Sequence, residues 1–261
     1  MIDFHVHCFP DALAAKALEV LSKTSGIAPC TDGTVRALKE SMERAEITRA
    51  VLQPIATKPA QTQTVNTWAA GVQDDRILAF GTLHPQLASW KEEAQRIKSL
   101  GLKGVKFHPD YQGFFVDDEA MMAIYEQLAQ LDLIILFHAG IDIALPPPCH
   151  CPPDRLARVV KRLAGARLVA AHMGGFRCWN QVEEHLVGLD LFFDTSYGLG
   201  HLDTDQFVRI LQRHGVKRCL FATDSPWADQ EEEIAKIERL MLAPGDRQAL
   251  MEGNARRLLQ L

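Results

Sequence analysis

Eight short apolar runs, each followed by a stretch with helical periodicity, dominate this chain. The runs are IDFHVH, ITRAVLQPI, RILAFGTLH, LKGVKFH, LIILFH, RLVAAH, LDLFFDTS and RCLFATD. Between them, stretches such as SWKEEAQRIKSL, DEAMMAIYEQLAQL and PDRLARVVKRLA repeat apolar residues every three or four positions, as a half-buried helix does. Strands this apolar need cover on both faces, and helices between successive strands make the sheet parallel. Eight such units in 261 residues predict one α/β domain over residues 1–261, a closed (β/α)8 TIM barrel, with an open doubly wound sheet as the runner-up. The stretch TSGIAPCTDG splits the first helical region and predicts a helix cap at Thr31 or Asp32. LPPPCHCPPD, after the fifth run, is too short for a domain linker and reads as a rigid loop.

Polar residues gather at the C-terminal ends of these runs. His5 and His7 end the first, His84 the third, Lys106 and His108 the fourth, and His138 the fifth. His172 ends the sixth, Asp194 and Ser196 the seventh, and Asp224 the eighth. In a barrel these ends share the face on which such enzymes place their active sites. His5 and His7 are two residues apart, so strand alternation puts both on one face, with Phe4 and Val6 on the other. The pattern predicts a metal site with His5, His7, His138 and Asp224 as ligands. Three imidazoles and a carboxylate suit a divalent ion such as zinc, with manganese, iron or cobalt as substitutes. His172 is expected to take part in catalysis as a proton carrier or electrophile. With two ions, it would join His138 on the second. Lys106 is read as an amine that binds an anionic substrate, against the alternative of a carboxylated lysine bridging two ions.

A formal net charge of -5 argues against a general nucleic-acid or membrane-surface binder. No apolar run approaches the roughly 20 residues of a membrane helix, and MIDFHVHCF lacks the basic start of a secretion signal. The expectation is a cytoplasmic protein with a small-molecule substrate and no nucleic-acid or membrane partner; a homo-oligomer is left open. The six cysteines read as free thiols. Cys149, His150 and Cys151 are consecutive and poorly spaced to aim at one ion, so their loop is expected to form a pocket wall. Gly174 and Gly175 give room for backbone near the site, and DQEEE, from Asp229 to Glu233, reads as a solvated helix start.

In order along the chain, DFHVH, GVKFHPDYQGF, LFHAGID, AAHMGGF, FDTSYG, LFATDSPW and GNARRLL resemble the amidohydrolase superfamily. The resemblance is to its amidohydrolase 2 (amidohydrolase-related) branch of TIM-barrel metal-dependent hydrolases, which includes the aminocarboxymuconate semialdehyde decarboxylase group. It implies a metal held by His5, His7, His138 and Asp224, and a catalytic part for His172.

The leading functional expectation is a metal-dependent hydrolase. A metal-activated water, deprotonated by Asp224, attacks the carbonyl of an amide, ester or lactone in a small anionic substrate. The alternative is a nonoxidative decarboxylase of the aminocarboxymuconate semialdehyde decarboxylase type. There, protonation at carbon precedes loss of carbon dioxide, and Asp224 or His172 moves the proton. Lys106, His108, Arg177 and Trp227 are expected to contact the substrate. A noncatalytic metal-binding protein and a nuclease of similar fold are more distant readings.

Overall fold

The apolar runs become parallel strands in the computed structural model, which describes residues 1–261. The segments are β1 (Ile2–Val6), β2 (Arg49–Leu52), β3 (Ile77–Ala79), β4 (Gly81–Thr82), β5 (Gly104–Phe107), β6 (Ile134–Phe137), β7 (Leu168–Ala170), β8 (Phe192–Asp194) and β9 (Cys219–Leu220). Only Phe80 separates β3 from β4, so the nine segments form eight staves. Pairing follows chain order within β1–β3 and within β4–β9. Around Phe80 the sheet stays joined, with Phe80 N–H donating to Leu52 O and Lys103 N–H to Ala79 O, both at 3.0 Å. First and last staves also meet. Phe4 N–H donates to Phe221 O and Asp224 N–H to His5 O, each at 2.9 Å, and Val6 forms a parallel bridge with Ser225. The fold is the TIM barrel that the alternation predicts.

Alternation sorts the strand side chains into two layers. Ile134 and Leu136 join Ile2, Phe4 and Phe80 in an inner cluster, which Ala255, Leu258 and Leu259 of the C-terminal helix complete. Ile135 and Phe137 belong to the outer layer beneath the helices. There Tyr125, from the helix Glu119–Gln130, packs edge-on against Phe107 and Phe137 at 5.3 and 5.2 Å. Each large apolar side chain buried this way contributes about 1.5–3 kcal/mol before conformational entropy is charged against it.

The helix Pro153–Arg162 shows why these segments are helical. Proline opens it, Asp154 lies in its first turn, Lys161 and Arg162 lie in its last, and Leu156, Val159 and Val160 form its buried face. Asp229 caps the helix that follows β9 by accepting Glu232 N–H at 3.1 Å, as the acidic run predicts. The cap expected at Thr31 or Asp32 is instead Thr34, which accepts Ala37 N–H at 3.1 Å. Asp32 fixes that cap from outside by accepting Thr34 N–H at 2.9 Å. No helix is long and apolar enough to cross a membrane, and all six cysteines are free thiols.

One departure from regular alternation matters for the site. Asp3 pairs with Ala50 and Val6 with Leu52, so three steps along β1 match two along β2. The extra residue is a β-bulge, which re-aims the side chains beyond it. Phe4 therefore faces the inner layer although His5 and His7 also line the barrel mouth, while Val6 turns to the outer layer. The expected pairing of Phe4 with Val6 on one face does not hold.

Candidate metal centre

Three potential ligand atoms converge at the C-terminal end of the barrel. His5 Nε2 lies 3.2 Å from His7 Nε2 and 3.5 Å from Asp224 Oδ1, and His7 Nε2 lies 3.1 Å from the same oxygen. Ligands about 2.0–2.2 Å from a common ion sit about that far from one another. His5 is held from behind: its Nδ1–H donates to Asp194 Oδ2 at 2.8 Å, leaving the Nε2 lone pair aimed into the site. Lys106 Nζ donates to that same lone pair at 3.1 Å, a hydrogen bond that an ion on His5 would displace.

Hydrogen bonds settle the tautomers across the cavity. His172 Nδ1–H donates to the Ser196 carbonyl at 2.9 Å, so His172 Nε2 is an acceptor. That nitrogen takes the His138 Nδ1–H at 3.0 Å. The chain of donors ends at His138 Nε2, a buried nitrogen with a free lone pair and no hydrogen-bond partner. It stands apart from the His5–His7–Asp224 group and nearer to His108 and Asp142. The convergent His5, His7 and Asp224 fit a divalent ion, whereas the expected fourth ligand, His138, is not drawn into that group.

Two of these residues sit on strained backbone. His172 and Asp224 have φ of 59° and 72°, left-handed values for side-chain-bearing residues. Such a conformation costs of order 1–3 kcal/mol and persists only where the surroundings impose it. Asp194 Oδ1 accepts His172 N–H at 3.0 Å, and the bond from Asp224 N–H to His5 O fixes the second position.

Burial sets the charges. It lowers His5 to about 4, with the Lys106 ammonium acting in the same direction and Asp194 opposing. Burial likewise lowers Lys106 to about 8 against the attraction of Asp194 and Asp224. His138 is held well below its ordinary range by burial and then by His108 and His172. Burial alone would raise Asp194, but the interactions with His5, His172 and Ser196 outweigh it and hold the carboxyl at about 2. Asp224 follows the same logic: burial raises it, while His7, His5 and His172 hold it well below the carboxylate range. The imidazoles of His5 and His138 are thus neutral and the carboxylates ionised, the forms that bind a cation.

A cavity of about 220 Å³ opens above this group. His5, His7, Lys106, His108, His138, His172, Asp224 and Trp227 all line it, beside apolar walls that include Ile55, Ile141, Ile143 and Phe176. Arg177, expected at the substrate, lies outside the cavity. The Phe176 ring turns inward, and the exposed Arg177 guanidinium lies 5.4 Å from its centroid. His84 is also absent from the lining, its Nδ1 accepting Gln86 N–H at 3.2 Å. Trp179 lies beneath the site, donating to His172 O at 3.1 Å. Cys149, His150 and Cys151 do not converge: the Cys149 thiol donates to Gly140 O, His150 pairs with Asp110, and Cys151 is fully buried.

Asp142 and Tyr111 also line the cavity, and sequence reasoning passed over both. The signal for Asp142 was its place four residues after His138, within LFHAGID. Asp194 and Ser196 stood out only as strand-end residues, because their partners, His5 and His172, come from distant parts of the chain.

Fold and site define a TIM-barrel protein with a metal-compatible centre at the barrel mouth. Residues 2–261 match the family model described as amidohydrolase, and the chain belongs to this family of enzymes. No curated protein matches it. Among solved structures, an uncharacterised TIM-barrel protein of Bordetella bronchiseptica aligns over 100% of this chain and 98% of its own, at 19% identity and TM-score 0.77. A 5-carboxyvanillate decarboxylase from Sphingomonas paucimobilis aligns over 100% and 99%, at 14% identity and TM-score 0.73. A dihydroxybenzoic acid decarboxylase from a Polaromonas species, with bound manganese and the inhibitor 2-nitroresorcinol, aligns over 100% and 96%, at 16% identity and TM-score 0.70.

Proposed function

We propose that this enzyme is a metal-dependent nonoxidative decarboxylase of small unsaturated or aromatic carboxylic acids. The observation that carries the reading is Lys106, a fully buried ammonium among the ligand side chains in a cavity whose walls are mostly apolar. It supplies a fixed cation for a carboxylate, and the walls accept a flat apolar body. The decarboxylases of the same fold described above support this choice over hydrolysis, the leading expectation from sequence.

His5, His7, His138 and Asp224 would hold the ion, zinc or manganese. When bound, the metal supplies Lewis-acid polarisation and charge compensation for substrate oxygens. Lys106 orients the carboxylate, and the apolar walls exclude water from the ring. Asp224, ionised in the resting site, would take up a proton from water and pass it to the carbon bearing the carboxylate. The carbon–carbon bond then breaks, its electron pair stays on the newly protonated carbon's ring system, and neutral carbon dioxide leaves. His172 has both ring nitrogens engaged, with Ser196 O and His138, and serves to orient the latter.

The test is to load the purified enzyme with zinc or manganese and offer 2,6-dihydroxybenzoate and 5-carboxyvanillate beside a panel of esters, lactones and amides. Carbon dioxide release with no hydrolysis is expected. Hydrolysis of any panel member without carbon dioxide release from the acids overturns the proposal.

A further inference from the structure

Asp142 lies on the loop after β6, with a side chain only 11% exposed. Its Oδ1 accepts Ala144 N–H at 2.8 Å. Its Oδ2 lies 3.2 Å from His108 Nε2 and 3.9 Å from His138 Nε2. The stacked rings of His108 and His138, 4.0 Å apart, complete a group whose ligand atoms are close enough for an ion.

Hydrogen bonding argues against a second metal there. His108 Nδ1 accepts Tyr111 N–H at 3.3 Å, which puts the imidazole proton on Nε2. That nitrogen, 3.2 Å from Asp142 Oδ2, carries the proton and has no lone pair to offer. The arrangement is instead a carboxylate whose Oδ1 is held by the loop backbone, while Oδ2 lies 3.2 Å from His108 Nε2 and keeps its accepting capacity at the cavity surface.

The charges lining the cavity are few. Lys106, Asp224 and Asp142 are the only ionisable carboxylate or amine side chains among the lining residues. Asp224 is committed to His5 and His7, and Lys106 lies beside them. Asp142 faces the opposite pair of histidines. A substrate carboxylate is drawn to Lys106 and repelled by Asp142, so the group that meets Asp142 must be neutral or cationic and must donate.

We infer that Asp142 is a specificity-determining residue that accepts a hydrogen bond from a hydroxyl or amino substituent on the substrate, at a ring position remote from the carboxylate bound at Lys106. The inference rests on the carboxylic-acid reading of the site given above. A hydrogen bond to a charged acceptor discriminates its donor from an analogue without one by about ten-fold or more.

The experiment measures the affinity of the zinc-loaded enzyme and its Asp142→Asn variant by calorimetry. The probes are 3- and 4-hydroxybenzoate, 3- and 4-aminobenzoate, and their methoxy counterparts. Melting temperature and metal content verify that the variant folds. The wild type is expected to prefer at least one hydroxy or amino acid over its methoxy analogue by about ten-fold or more. In the Asp142→Asn variant the amide can donate as well as accept, so that ratio should shrink to within about three-fold. Equal binding of donor and methoxy acids by the wild type overturns the inference alone, as does a ratio that survives in Asp142→Asn. Failure of every ring acid to bind overturns the substrate reading and the inference with it.

Discussion

His138 Nδ1 lies 3.0 Å from His172 Nε2, and this contact leaves His138 Nε2 as a buried lone pair with no hydrogen-bond partner. The orientation of one expected ligand therefore depends on a residue that need not touch the metal. Replacing His172 with alanine removes the acceptor and frees His138 to turn. Metal affinity is expected to fall about 10–100-fold, the usual effect of losing such a supporting contact. Competition with a chromogenic chelator measures it; unchanged affinity would show that His138 needs no help.

Metal content tests the ligand set directly. Wild-type protein is expected to retain a divalent ion through desalting, whereas His5→Ala combined with His7→Ala is not. Elemental analysis compares the two, and circular dichroism verifies folding. Equal metal in both removes these histidines from the centre.

Asp224→Asn separates ligand from proton carrier. The amide oxygen retains a weaker ligand and the shape, while the carboxylate's proton-carrying capacity is lost. Most of the metal should stay, and turnover of any decarboxylated acid should drop by about 10²–10⁴-fold, the range of general acid–base assistance. Full activity would move the proton transfer to another residue.

Lys106 is predicted to act as an unmodified amine. Its nitrogen, 3.1 Å from His5 Nε2, would be released toward a substrate carboxylate once an ion takes that lone pair. Native mass spectrometry should show no carbamate. Lys106→Met should keep the metal yet weaken binding of carboxylic acids by about 10–100-fold, since a charge-assisted hydrogen bond is lost. A carbamate mass with two bound ions would reverse this assignment.

Acid sensitivity has a source far from the site. His214 is fully buried, stacks on Phe193 at 3.8 Å, accepts Gly188 N–H and donates to Leu191 O. Burial, aided by Arg218 and opposed by the bond to Leu191, lowers it to about 4 from the ordinary 6.5. Between those values the unfolded chain binds a proton that the folded one refuses. Stability present above pH 6.5 is therefore lost as pH falls toward 4, by up to about 1.4 kcal/mol per pH unit. Urea denaturation of the metal-free protein at pH 7 and pH 5 should show a smaller loss in His214→Gln than in wild type. An identical loss in both rules out His214 as the source.

The barrel was legible from local pattern alone. Each apolar run needs cover on both faces, each amphipathic helix supplies it, and eight repetitions close a ring without any special residue. Strand ends also announced His5, His7, His138, His172 and Asp224 as residues of the mouth, because an imidazole or carboxylate at the end of a buried strand has no packing purpose. Alternation failed within β1, where the register against β2 introduces a bulge that no periodicity reveals. Arg177 could not be placed from sequence, because a loop's path decides which of two neighbours, Phe176 or Arg177, turns inward. The same limit hid Asp142. Tyr111 N–H sets the tautomer of His108 locally, three residues along, but the approach of His108 to Asp142 at 3.2 Å joins two separate strand ends and belongs to the assembled structure rather than to any stretch of chain. The sequence by itself determined which strand ends carry His5, His7, Lys106, His108, His138, His172 and Asp224 to the barrel mouth, since that follows from the order and length of the strands. Only the tertiary structure decided which of their nitrogens and oxygens remain free to bind, since that depends on partners brought together from across the ring.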